Sequence, residues 1–154
     1  MEKRTGTAAA ASRSAYEAKV GTEAVLRSGG KNPQLKGVVH EILYRDSITM
    51  DPKNLVSGTK GVLSKSATAI RDDVLTMRGG SVVGRAQLKD TVSGIEKTVR
   101  QAVDGKYART HLMGTKETVE AYNQAVARMA KNGTTVTQKM TSTGISSADT
   151  SRIA

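Results

Sequence analysis

No cysteine occurs among the 154 residues, which excludes disulfide staples, thiol catalysis and zinc held by thiolates. Any metal would have to sit on carboxylate, amide or imidazole ligands. Phenylalanine and tryptophan are also missing, and tyrosine occurs four times. The core must therefore be built from Val, Ile, Leu, Met and Ala, with few rings to stack on unpaired bases. No apolar run approaches the length of about eighteen residues that spans a bilayer. The opening stretch Met1–Ala11 lacks a long apolar signal core, so the expectation is a cytoplasmic protein. Acidic residues are scarce as well: 14 Asp and Glu face 24 Lys and Arg, a net charge of +10. That balance favours a polyanionic partner, nucleic acid or an acidic membrane surface. The membrane is the weaker choice, because no helical stretch combines a strongly basic face with a bulky apolar one.

A chain of this length is most simply one domain, burying roughly two-thirds of the surface it exposes when unfolded. Residues 1–12 are small and polar without a period and read as a flexible N-terminus. A weakly apolar helix with Tyr16, Val20, Ala24 and Val25 is expected between Ser12 and Ser28, and it could mediate a homodimer. After the break at Ser28–Pro33, Asn32 can cap a second helix with Pro33 at its first position and Leu35, Val38, Val39 and Ile42 at helical spacing. This helix carries His40 and Glu41 near its end. The segment Ile48–Arg71 reads as loop-rich, with one strand around Gly61–Ser66. Further on, Thr91 or Ser93 can cap a helix ending at Gly105. Arg109–Gly114 reads as a short strand, Lys116–Lys131 as a strong helix and Thr134–Met140 as a last strand. The tail 141–154 has no clear assignment. From the second helix onward the order is helix, strand, strand, strand, helix, strand, helix, strand, an α/β chain whose single domain spans 13–140.

Between Asp72 and Lys89 the pattern is that of a β-hairpin. Gly79-Gly80 supplies the positive backbone angles of a tight turn, and both flanks are rich in β-branched and apolar residues. In the second flank Val82, Gly84, Ala86 and Leu88 should point one way, and Val83, Arg85, Gln87 and Lys89 the other. Gln87 and Lys89 then stand together, across the hairpin from an aspartate. Register decides which one. A two-residue Gly79-Gly80 loop would set Asp72 opposite Gln87, and a three-residue loop including Ser81 would set Asp73 there.

The element order and the Asp…Gln-x-Lys spacing resemble the restriction-endonuclease-like superfamily, the PD-(D/E)XK nucleases, over about residues 33–115. In glutamine form the motif is similar to that of Mrr-type restriction enzymes and some bacterial toxin nucleases. The resemblance implies a core of a helix, three strands, a helix and a fourth strand. It implies catalytic roles for Glu41, Asp73, Gln87 and Lys89, with Glu41, Asp73 and Gln87 as metal ligands and Asp72 as the register alternative. Asp73 is preferred because superfamily aspartates lead directly into an apolar pair, here Val74-Leu75. Carboxylates and an amide carbonyl suit Mg²⁺ or Mn²⁺, and Lys89 would orient or deprotonate the attacking water and offset charge on the phosphorane. With Gln87 in place of the usual acid, the site carries one negative charge fewer and should hold metal more weakly.

The expected activity is metal-dependent phosphodiester hydrolysis. DNA is favoured over RNA because the rings that hold single strands are missing. A toxin-type nuclease acting on transfer RNA would use the same residues, and a non-catalytic nucleic-acid-binding protein of a mobile element would share the charge. Arg71, Arg78, Arg85, Lys97 and Arg100 are candidates for phosphate contacts around the site. Gln101 could approach it from the next helix. His40 and His111, far apart in sequence, read as structural or surface residues. Neither a Gly-x-Ser-x-Gly elbow nor a Gly-x-x-x-x-Gly-Lys phosphate loop is present.

Overall fold

The computed structural model describes residues 2–29, 32–64 and 73–154. Two long helices come first, α1 (Glu2–Ser28) and α2 (Asn32–Met50), followed by the short α3 (Pro52–Ser57) and the strands β1 (Thr59–Leu63), β2 (Val74–Arg78) and β3 (Ser81–Lys89). Then α4 (Ile95–Val103), β4 (His111–Gly114), α5 (Lys116–Lys131), β5 (Met140–Ser142) and α6 (Ser147–Ile153) complete the chain. The protein is α/β, with a five-stranded mixed sheet in the order β1-β2-β3-β4-β5. β2 runs antiparallel to both β1 and β3, and β3, β4 and β5 are mutually parallel. Parallel neighbours require crossovers, which α4 and α5 supply.

Helices cover both sides of the sheet. On one side Val74, Ala86 and Leu88 pack with Leu63 and Met113 against Tyr44 and Ile48 of α2. On the other, Leu112 and Met140 pack with Ile95, Val99 and Ala102 of α4, Tyr122 and Ala125 of α5, and Tyr107. The far side of α2 buries Val38, Val39 and Ile42 against Val20 and Ala24 of α1.

Several elements depart from the sequence reading. The N-terminal stretch expected to be flexible belongs to α1, because Ala8–Ala11 favour helix without needing an apolar period. The segment expected to be loop-rich from Ile48 begins with the end of α2. The charged residues of α2 just before it are engaged between helices: Arg45 binds Glu23 of α1 at 2.5 and 2.9 Å, and the Tyr16 hydroxyl donates to Asp46 at 2.7 Å. β1 spans Thr59–Leu63, starting two residues before the expected Gly61, and runs tight against α2; the expected end at Lys65 and Ser66 lies outside the described residues. A Cβ on Gly61 would fall 2.6 Å from the Arg45 carbonyl oxygen, so this strand can pass only with glycine there. The last strand begins at Met140, where the sequence reading ended it.

The unassigned tail forms α6, fastened by contacts that no local pattern announces. Arg152 binds Glu17 of α1 at 2.5 and 2.9 Å, and the Thr150 hydroxyl donates to Asp90 at 2.5 Å. Asp90 also receives Lys36 of α2 at 3.3 Å. His40 is buried beside this cluster, with Nε2 2.8 Å from the Thr143 hydroxyl. Its pKa falls to about 4 through burial, against the pull of Asp90. His111 is exposed.

Candidate active site

Hairpin register brings Asp73, not Asp72, to Gln87, but by a route that the turn does not reveal. Gly79 and Gly80, with φ of 56° and 80°, form a two-residue turn, and Arg78 pairs with Ser81. Continued regularly, that register would bring Asp72 to Gln87. Instead the ladder shifts between Met77, which pairs with Val82, and Thr76, which pairs with Gly84, leaving Val83 as the extra residue of a β-bulge. From there Val74 pairs with Ala86, which sets Asp73 level with Gln87. The bulge also turns Val82 away from the Ala86 and Leu88 face, to join Val62, Leu75 and Met77 on the opposite one. Asp72 and Arg71 lie outside the described residues.

Asp73 is buried and fixed by its backbone and its side chain. Its N–H donates to Ala86 O at 2.8 Å, its carbonyl accepts from Ser64 N at 3.1 Å, and a carboxylate oxygen accepts from Leu88 N at 2.8 Å. Glu41 reaches toward the same carboxylate from the middle of α2, and the two carboxyls interact. Burial first, then the charge of Asp73, raises the Glu41 pKa to about 8, while Arg27 of α1 opposes the shift. At neutral pH Glu41 therefore holds a proton that a hard cation would displace.

Gln87 is 7% exposed, and its Oε1 is buried without a hydrogen-bond partner. A buried acceptor left in that state costs roughly 1–3 kcal/mol, which a ligand at this point would offset. On the next residue of the same face, the Lys89 Nζ lies 5.2 Å from the centroid of the Tyr107 ring. Burial lowers the Lys89 pKa, and the Asp73 charge opposes that shift. The Tyr107 hydroxyl donates to Gln101 Oε1 at 2.5 Å, so Gln101 meets the site through this tyrosine.

The four expected site residues thus gather at the end of the hairpin. Two carboxyls and one amide carbonyl form a hard-oxygen donor set suited to Mg²⁺ or Mn²⁺. Among the described residues no three Asp, Glu, His or Cys side chains converge. The basic residues are less gathered than expected. Arg78 donates to Thr59 Oγ1 at 2.8 Å beside the turn, five residues along the hairpin from Asp73. At the usual strand rise that is about 17 Å from the carboxyls. Arg85 is exposed two residues before Gln87, and Lys97 and Arg100 are exposed on α4.

Two residues that sequence reasoning passed over belong here. Tyr107 is fully buried beneath Lys89, and the only signal for it was the rarity of rings in this chain. Arg27 arrives from α1, which carries no part of the motif. Tyr107→Phe should keep the ring beneath Lys89 and lose the bond to Gln101, costing about 1 kcal/mol in urea unfolding. Tyr107→Ala should cost about 3–5 kcal/mol by emptying the space.

No protein-family model, curated protein or solved structure matches this chain. Among the described residues no helix is long and apolar enough to cross a membrane.

Proposed function

We propose that this protein is a divalent-metal-dependent nuclease with a restriction-endonuclease-like core. The observation that carries the reading is the meeting of the Glu41–Asp73 carboxyl pair with Gln87 and Lys89 at one end of β2 and β3. The order α2, β1, β2, β3, α4, β4, with an antiparallel hairpin followed by a parallel crossover, agrees with it. Glu41, Asp73 and the Gln87 carbonyl would hold Mg²⁺ or Mn²⁺, and the partnerless Gln87 oxygen fits that role. Such an ion polarises a phosphate and lowers the pKa of bound water.

Lys89 is the group that acts on the water and on the developing phosphorane charge, and Tyr107 and Gln101 fix where its ammonium stands. Asp73 fixes the hairpin end through Leu88 N, and Glu41 would give up its proton on holding a cation. Duplex DNA is the favoured substrate, given the net charge of +10 and the lack of Phe and Trp.

The test is incubation with plasmid DNA and with total transfer RNA, each with Mg²⁺, Mn²⁺ or EDTA. Metal-dependent cleavage of plasmid is the expected result, and cleavage of transfer RNA alone would reassign the substrate. Binding without cleavage under every condition would replace the reading with a non-catalytic nucleic-acid-binding protein.

A further inference from the structure

Arg27 occupies the last turn of α1, outside the elements that carry the motif. Its Nη2 donates to the carbonyl of Ser64, the residue whose N–H is bonded to the Asp73 carbonyl. One residue, Ser64, therefore links the guanidinium to the backbone of Asp73. The charge is close enough to act on Glu41. The Nε–H is buried and has no hydrogen-bond partner. Buried polar groups are almost always paired, and an arginine held only for architecture would be expected to use this donor. The Nε–H and an Nη–H form the flat fork that matches two oxygens of a phosphate. A phosphate drawn to a site with two carboxyls also needs a nearby cation to offset their repulsion.

We propose that Arg27 is a substrate-binding residue of this site, whose guanidinium takes a non-bridging phosphate oxygen of the nucleic acid beside Glu41 and Asp73. This inference rests on the nuclease reading and adds to it a phosphate contact supplied by the N-terminal helix. It also gives α1, which the Arg45–Glu23 pair ties to α2, a function beyond packing.

The salt dependence of binding isolates a phosphate contact from a loss of structure. Binding of a short duplex DNA in EDTA, where no cleavage occurs, is measured by fluorescence anisotropy between about 50 and 200 mM salt, the range over which counterion release is steep. Arg27→Ala should weaken binding and reduce the slope of log K against log salt by about 0.9, the value of one phosphate contact. Arg27→Lys keeps a point charge and should retain the slope. Arg27→Gln keeps an amide donor for the Ser64 carbonyl, so it preserves the fold while losing the charge, and it should behave as Arg27→Ala does. A wild-type slope in Arg27→Gln, or an equal loss of slope in Arg27→Lys, overturns the assignment. Plasmid cleavage by the wild type in Mg²⁺ is scored in parallel. Wild-type cleavage beside an unchanged slope removes Arg27 alone, whereas a wild type that neither binds nor cuts removes the nuclease reading with it.

Discussion

Lys89→Ala should lower metal-dependent cleavage about 10²- to 10³-fold, the usual consequence of removing one group aimed at developing charge. Duplex binding in EDTA should weaken much less, because one ammonium contributes about one phosphate contact. The separation follows from where Lys89 stands. Its partly buried ammonium is held over Tyr107 and attracted by Asp73, so it points along the face that carries Gln87 rather than into solvent. Lys89→Met keeps most of the stem against the ring and should lose as much activity as Lys89→Ala with a smaller change in stability. Lys89→Arg should recover little, since a planar fork does not reproduce a compact point charge at this position. Single-turnover cleavage of plasmid, with urea unfolding of each variant alongside, checks all three. A Lys89→Ala variant that cuts at the wild-type rate would remove Lys89 from the chemistry. Equal losses of binding and cleavage would make it a binding residue.

The parts of this arrangement written locally in the chain were readable, and the parts created by long-range contacts were not. The hairpin, α5 and the crossover α4 carry their own turn residues and periods. Choosing Asp73 over Asp72 succeeded on the apolar pair Val74-Leu75, whereas the structural cause is the bulge at Val83, which has no sequence signature of its own. Length was underestimated where charges looked like loop. Tyr44-Arg45-Asp46 stays helical because Glu23 and Tyr16 receive those charges from α1, 22 and 30 residues away. The same reason hid α6, whose anchors at Asp90 and Glu17 lie 60 and 135 residues back. Arg27 and Tyr107 were invisible as site residues because their positions depend on how α1 and the α4–β4 connection pack onto the sheet. In the other direction, Arg78 looked close to Asp73 in sequence, and an extended strand carries it away.

Metal-free protein should show a broad stability plateau from about pH 4.5 to 6.5, where Glu41 and His40 offset each other, and a fall above it set by Glu41. Glu41 titrates at about 8 in the folded state against an ordinary 4.5. Between those values the folded state holds a proton that the unfolded chain has released, so stability falls as pH rises, by up to about 1.4 kcal/mol per pH unit. His40 has the opposite sign. Its folded pKa of about 4 lies below the ordinary 6.5, so its contribution is complete above 6.5 and is lost as pH falls toward 4. From about pH 4.5 to 6.5 the two slopes oppose each other, and from 6.5 to 8 Glu41 acts alone. Urea midpoints in EDTA should therefore be similar at pH 5 and 6.5 and lower at pH 8. Glu41→Gln should flatten the arm above 6.5 and uncover the His40 loss as pH falls from 6.5 to 5. Mg²⁺ or Mn²⁺ binds the deprotonated carboxylate, so its stabilising effect on the wild type should grow with pH up to about 8 and be small in Glu41→Gln. An alkaline fall of wild-type size in Glu41→Gln would show that the Glu41 proton is not its source, and a metal effect independent of pH would place the cation elsewhere.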